Sequence, residues 1–198
     1  MVTNDGDLGG EPPCLMASLD EQGNVREAGV AAPAVTVTRI RPPAVGSEKV
    51  LLEAFLDYQR ATLLWKVSGL SEADLRRRLV PSLTTLLGMV KHLAYVERWW
   101  FQMVFAGEDV PAPWTKQDPD ADFRLEPDET TEGILAFYQE QVARSRAITA
   151  TASLDDLARR PDREHTLRRI MIHMIEETAR HNGHVDILRE LIDGATGE

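Results

Sequence analysis

Cysteine is almost absent from this sequence of 198 residues, which contains only Cys14. One thiol forms no internal disulfide and cannot build a cysteine-rich zinc site. Basic residues are also outnumbered, because 22 Lys and Arg stand against 32 Asp and Glu and give a net charge of -10. Binding to the phosphates of nucleic acids needs a basic face, so this balance argues against a DNA- or RNA-binding protein.

Long apolar runs and leader-like segments are lacking as well. No stretch approaches the ~20 apolar residues of a membrane span, and the N-terminal MVTNDGDLGG has neither the basic nor the apolar part of a secretory signal. We therefore expect a cytoplasmic protein with no membrane partner. A glycine-rich phosphate loop and a Gly-x-Ser-x-Gly turn are also missing, which disfavours nucleotide-binding and serine-hydrolase functions.

Two regions of different composition follow each other along the chain. Residues 1–46 are rich in Gly, Pro, Ala and Val and show no helical periodicity, which predicts an irregular N-terminal arm. Within this arm, the alternation of Val35, Val37 and Ile40 is typical of a short strand. Residues 47–198 instead carry apolar residues at helical spacing, and we treat them as one helical domain.

Four long amphipathic helices are predicted in the second region, with no convincing strand between them. Their expected limits are Ser47 to Gly69, about Thr84 to Phe105, Thr130 or Thr131 to beyond Ile148, and about Thr166 to Gly194. Shorter helices are expected after Ser71, in SEADLRRRL, and after Ser153, in SLDDLARR. The pattern predicts an all-α fold, a four-helix bundle with an irregular N-terminal arm.

The apolar stripe of the last predicted helix is interrupted by polar residues. Between Met174 and Val185, the positions that face inward include Glu177, His181 and His184. Steps of four and three residues place these three side chains on one face. A carboxylate and imidazoles in a core stripe are costly unless they are paired or bound to a metal.

The second long helix has a matching polar residue, His92, in an otherwise apolar stretch. Facing helices of a bundle can bring His92 together with Glu177 and His181, and such a set suits one divalent metal with an open fourth position. The alternative is a hydrogen-bonded core network without a metal. Spacing alone leaves both interpretations open.

Other polar and aromatic features are weaker. Asp118, Asp120, Asp122 and Glu129 imitate part of a calcium loop, but the required glycine is replaced by Phe123, so we expect a solvated acidic loop.

Tryptophans and arginines provide further candidates. Trp99, Trp100 and Trp114 suit either a pocket wall or core packing. Arg98 and Arg180 suit either a substrate carboxylate or ion pairs.

Two segments carry a family resemblance, LLGMVKHLAYVERWWF at 86–101 and HMIEETARHNGHVDILRELIDG at 173–194. They resemble the DinB-like superfamily of metal-binding four-helix bundles. Within it they are similar to the branch with the mycothiol-dependent maleylpyruvate isomerase and the mycothiol and bacillithiol S-transferases. The resemblance spans roughly residues 47–194 and does not cover the arm.

The resemblance implies a metal site and a function. The GxxxHL setting of the family's first ligand falls on Gly88 and His92, and its two ligands on the last helix fall on Glu177 and His181. His184 is then expected to orient a ligand or line the cavity. The implied cofactors are one divalent ion (zinc first, with nickel, manganese or iron as alternatives) and a low-molecular-weight thiol, with mycothiol the first candidate.

The implied activity is thiol S-transfer to an electrophile, or another thiol-dependent detoxification, by a homodimer. The metal would act as a Lewis acid toward the thiol, and no residue stands out as a general base. A non-catalytic, metal-stabilised stress-response or binding module is the alternative. A third interpretation is a non-haem iron enzyme, because two histidines and a carboxylate also describe such sites.

Overall fold

The computed structural model describes residues 37–197, which lie in one compact unit. Five α-helices and one π-helical segment account for the regular structure of these residues, so the predicted all-α class is confirmed. The helices are α1 (Glu48–Val67), α2 (Glu72–Leu75), α3 (Leu86–Glu97), α4 (Thr131–Ala150) and α5 (Leu167–Asp193). The π-helical segment, Arg98–Phe105, continues α3. None of these helices combines the length and apolar character needed to cross a membrane.

Hydroxyl side chains start the helices where the sequence places them. The Ser47 hydroxyl accepts from the Val50 N–H at α1, and the Thr166 hydroxyl accepts from the Arg169 N–H at α5. Each bond satisfies one of the free N–H groups of a first turn. Gly194 ends α5 in the left-handed conformation, with φ of 76°, as a helix-terminating glycine does.

The second long helix departs from its prediction. It begins at Leu86, with Thr85 as its cap, close to the expected start at about Thr84, but its last eight residues are π-helical rather than α-helical. The carbonyls of Val104 and Phe105 accept from the backbone N–H groups of Arg160 and Arg159. These bonds come from a distant loop, so periodicity could not reveal them.

The helix predicted after Ser153 is wrong. Residues 151–166 form turns that lead to an isolated antiparallel bridge between Leu157 and Thr166. The Leu167 N–H bonds to the Asp156 carbonyl, and the Arg168 N–H bonds to the Leu154 carbonyl. Tertiary pairing of the backbone therefore replaces the predicted helix. The helix after Ser71 is present but ends at Leu75.

Residues 37–46, the described end of the predicted arm, form no strand. Val37 and Thr38 line a groove beside α1 and α4. The Arg39 guanidinium lies 4.0 Å from the ring centre of Trp65 on α1. The predicted alternation begins at Val35, which lies outside the described residues, as does Cys14.

A buried ion pair separates two apolar clusters in the core. Arg60 of α1 binds both carboxylate oxygens of Glu97 of α3 at 2.7 Å. One cluster includes Leu63 and Leu93, and the other includes Leu56 and Phe101. On α1, Arg60 lies between Leu56 and Leu63, which belong to different clusters. On α3 and its π-helical continuation, Glu97 lies between Leu93 and Phe101, which also belong to different clusters. Among the described helices, α1 packs mainly against α5 and α3 mainly against α4, and α3 also contacts α5.

Candidate metal centre

Three predicted side chains meet where α3 faces α5. One nitrogen from each of His92 and His181 and one oxygen of Glu177 all lie within 4.8 Å of one another. The His92 side chain is 14% exposed, that of His181 13% and that of Glu177 25%. The site is therefore half-buried and keeps some access to solvent.

The two residues on α5 are already in contact. One helical turn separates Glu177 from His181, and the His181 Nε2 donates to Glu177 Oε1 at 3.1 Å. This hydrogen bond is the largest cause that lowers the pKa of the Glu177 carboxyl, while burial opposes it and the neighbouring imidazoles add to it. Glu177 is therefore ionised at neutral pH and offers an anionic oxygen.

A buried carboxylate fixes the orientation of His92. Asp122 Oδ2 lies 2.8 Å from His92 Nδ1, and Asp122 is 5% exposed. A carboxylate accepts only, so the ring proton lies on Nδ1 and the Nε2 lone pair is left for another partner. His92 Nε2 is buried and has no hydrogen-bond partner, and it lies 4.0 Å from Glu177 Oε1.

Gly88 allows the loop that carries Asp122 to approach α3. A Cβ atom at Gly88 would lie 2.6 Å from the Phe123 carbonyl oxygen and 2.9 Å from the Thr85 hydroxyl. The Phe123 ring stacks on the His92 imidazole with centroids 4.0 Å apart. Gly88, one turn before His92, thus lets a single loop place both the Asp122 carboxylate and the Phe123 ring against the His92 imidazole.

Asp122 is the residue that the sequence interpretation missed. The sequence predicts that Asp122 lies in a solvated acidic loop. Asp118, four residues earlier in that loop, does pair with Arg124 at the surface. Asp122 instead points inward to His92. Asp122 and the apolar Phe123 lie side by side in an acidic loop, which is a signal for a loop that packs on the core, but it does not identify the partner.

The remaining histidines lie at increasing distance from the three donors. His184 Nδ1 is 3.4 Å from His181 Nδ1, so His184 lies beside a donor on the side away from Glu177. Burial is the main cause that lowers the pKa of His184, followed by the nearby His181 and Arg180. His173 and His165 contact Trp100, and both are half-buried.

The tryptophans and arginines named from sequence are only partly explained by packing. Trp99 and Trp114 meet edge to face with centroids 5.9 Å apart. Arg98 donates to the Gln141 side chain and to the Pro111 carbonyl, so it joins elements rather than facing the three donors. Arg180 is exposed on α5.

The donor set fits a divalent metal. Zinc bonds to histidine nitrogen and carboxylate oxygen at about 2.0–2.2 Å, so tetrahedral donors lie about 3.3 Å apart. The separations of 3.1 and 4.0 Å from Glu177 Oε1 bracket that value. A buried imidazole nitrogen without a partner is costly, and a metal would satisfy it. The Asp122–His92 pair also has the arrangement that commonly supports metal-binding histidines.

Comparison with known families agrees with this geometry. The family model described as Mycothiol-S-transferase matches residues 51–194, well over half of the chain. The match includes the three donors and Asp122. A comparison with curated proteins finds no match.

Proposed function

Because the chain belongs to the mycothiol S-transferase family, we propose that it transfers a low-molecular-weight thiol of the mycothiol type to an electrophile. A divalent metal, zinc in the first place, would be held by His92, Glu177 and His181. The observation that carries the proposal is the buried, unpartnered His92 Nε2 facing the Glu177 carboxylate within the matched residues. The resemblance stated from the two sequence segments is confirmed by the family match.

The donor set suits a thiol substrate in number and in charge. Catalytic zinc sites have three protein ligands and keep a fourth position for water or substrate, and this site offers three donors. Two neutral imidazoles and one carboxylate supply a single negative charge, which leaves a divalent cation one positive charge for an anionic ligand. When bound, the metal supplies a Lewis acid that favours the thiolate over the thiol.

The residues of the chain hold this arrangement in place. Asp122 accepts from His92 Nδ1, so that in the neutral ring the Nε2 lone pair is directed at the site. Phe123 covers the face of the His92 ring, which limits water at that side. Before a metal binds, the hydrogen bond from His181 lowers the pKa of Glu177 and keeps the carboxylate anionic, and a bound metal would take the place of that proton. None of the described residues needs to act as a general base in this scheme.

The overall reaction is balanced without an oxidant or reductant. A carbon–sulfur bond forms between the thiol and the electrophile, and the thiol proton is released to solvent. In a substitution, the leaving group departs with the electron pair of its bond. In an addition to an activated double bond, a proton is taken up at the neighbouring carbon.

An assay of thiol consumption tests the proposal. The zinc-loaded protein is mixed with mycothiol and a panel of electrophiles that includes 1-chloro-2,4-dinitrobenzene, and bacillithiol and glutathione are tried in parallel. We expect product formation that a chelator abolishes and zinc restores. Glu177→Ala should lose it, whereas Glu176→Ala, a matched change at a neighbouring exposed carboxylate, should retain it.

Failure of the loaded protein to consume any of the three thiols would contradict the proposed enzyme and favour the binding-module alternative. The assignment of the activity to the helical domain at 47–198, the homodimer and the cytoplasmic location stay predictions of the sequence and the resemblance.

A further inference from the structure

Two consecutive tryptophans on the π-helical segment each lie beside an arginine side chain. Trp99 lies 4.7 Å from the Arg160 guanidinium, and Trp100 lies 5.8 Å from that of Arg169. We call Trp100 and the side chains around its ring, Arg169, His165 and His173, the indole face. Both indoles are half-buried, so each packs on the core and still has part of its ring exposed.

Imidazoles complete the indole face around Trp100. His173 of α5 meets Trp100 at 4.7 Å between ring centres, and His165, just before α5, does so at 5.8 Å. The site therefore combines flat apolar rings with nitrogen donors. Arg169 adds a cationic group beside these rings, in a chain whose net charge is -10.

Arg169 is the group on this face best able to take an external anion. Arg160 is already paired with Asp162 at 2.8 Å. Arg169 is exposed, and among the described residues its guanidinium has no ion pair and lies near the Trp100 ring. A guanidinium presents a planar fork of donors that matches a carboxylate. The nearby indoles suit a flat ring attached to that carboxylate.

The indole face lies along the same helix seam as the candidate metal centre. His173 precedes Glu177 by one turn of α5, which is about 6 Å along the axis. On the other side of the seam, Val96 lies one turn after His92 and one turn before Trp100, and it is half-buried. A ligand on Trp100 and His173 is therefore a neighbour of anything held by His92, Glu177 and His181.

We propose that the indole face binds a planar electrophile that bears a carboxylate, with Arg169 as the carboxylate partner and Trp100 as the ring platform. This inference rests on the proposed function, since it names the substrate class that would receive the thiol. In this proposal the carboxylate that Arg169 binds belongs to the electrophile and not to the thiol.

Binding without turnover gives the first test. The zinc-loaded protein is titrated calorimetrically with 3-nitrobenzoate and with the neutral 3-nitrobenzamide. Hydrogen bonds to a charged group are worth roughly tenfold or more in affinity, so the carboxylate should bind about tenfold more tightly than the amide. Arg169→Gln should remove that preference. Arg77→Gln is the matched control, because Arg77 is exposed on another part of the surface and its loss changes the net charge equally.

Turnover gives the second test and separates the two proposals. With mycothiol as the thiol, 4-chloro-3-nitrobenzoate and 4-chloro-3-nitrobenzamide each lose chloride as the carbon–sulfur bond forms and the thiol proton is released. Arg169→Gln should lower kcat/KM for the benzoate about tenfold, mainly through KM, and leave the amide unchanged. Arg77→Gln should change neither.

The outcomes are distinct. Equal binding of the two probes, no binding of either, or an unchanged preference in Arg169→Gln would overturn the inference, even if thiol transfer proceeds. A carboxylate preference that depends on Arg169, together with no thiol transfer to either substrate, would support the indole face and contradict the proposed function.

Discussion

His92 depends on a partner that is distant in sequence and invisible to helical spacing. His92 stands out in the sequence because it interrupts an apolar stripe. Glu177 and His181 stand out on the last helix for the same reason. The partner Asp122 lies 30 residues away in the chain, in a loop whose composition is typical of solvent-exposed segments. The three side chains that meet here could therefore be singled out from the sequence as a candidate site, whereas the residue that orients His92 could not.

Replacing Asp122 tests its role as a positioning residue. Asp122→Ala should weaken zinc binding by roughly 10- to 100-fold, as loss of a partner behind a ligating histidine does. The affinity is measured by competition with a chromophoric chelator. Asp120→Ala, at an exposed carboxylate in the same loop, should leave it unchanged. Equal affinity in all three proteins would contradict the orienting role of Asp122.

The ionisation of Glu177 predicts a pH dependence of the metal-free protein. Its pKa is lowered in the folded state from an ordinary value of 4.5, mainly by the His181 hydrogen bond. Such a carboxylate stabilises the fold above its unfolded pKa, and this contribution is lost as the pH falls through the lower folded value.

With chelator present, the free energy of unfolding of the wild type should therefore exceed that of Glu177→Gln near neutral pH. The difference should shrink as the pH falls below about 4. Urea unfolding at a series of pH values measures it. A difference that stays constant with pH would show that Glu177 is not held as an ion by His181.

At the scale of whole elements, helices with their own caps agree with the sequence and segments held by tertiary hydrogen bonds do not. α1 and α5 begin after Ser47 and Thr166 because these hydroxyls bond locally. The π-helical segment and residues 151–166 instead share backbone bonds with each other, such as that from the Arg159 N–H to the Phe105 carbonyl. Local propensity contains no information about such a pairing.

The close approach to α3 of the loop that carries Asp122 and Phe123 can be tested by a substitution at Gly88. Gly88→Ala places a Cβ 2.6 Å from the Phe123 carbonyl, so the loop or the helix must shift, and overpacking of this kind costs about 1–3 kcal/mol. Zinc affinity should fall with it, because Asp122 and Phe123 move away from His92.

Gly183→Ala on α5 is the control for this change. A Cβ there meets no atom within 4 Å, so the variant should gain about 0.5–1 kcal/mol from helix propensity and keep its zinc affinity. Thermal unfolding with and without zinc gives both quantities. A Gly88→Ala protein as stable as the wild type would contradict the tight loop contact.

At the scale of the whole molecule, the buried Arg60–Glu97 pair lies between the two apolar clusters. The pair gives no signal in the sequence, since an arginine and a glutamate on separate helices are most often exposed. Glu97 is 1% exposed and Arg60 5%. The contact between Arg60 and Glu97 depends on the packing of α1 against α3, which only the folded structure reveals.

Removal of one partner should be severe. Glu97→Ala leaves a buried guanidinium with only Asp57 as a carboxylate partner, and breaking a buried pair costs about 3–5 kcal/mol. The double variant Arg60→Met with Glu97→Leu should recover most of that loss. Arg146→Gln, which breaks an exposed pair with Asp57, should cost under about 1 kcal/mol. Equal urea midpoints for Glu97→Ala and Arg146→Gln would contradict this account.

The most direct test of the whole account is the metal content of the reconstituted protein by elemental analysis. We predict one divalent ion per chain in the wild type and in Glu176→Ala, and its loss in each of His92→Ala, Glu177→Ala and His181→Ala. A wild type that takes up no metal, or donor variants that retain a full equivalent, would contradict the metal centre. His92, Glu177 and His181 would then be a hydrogen-bonded polar network of the core.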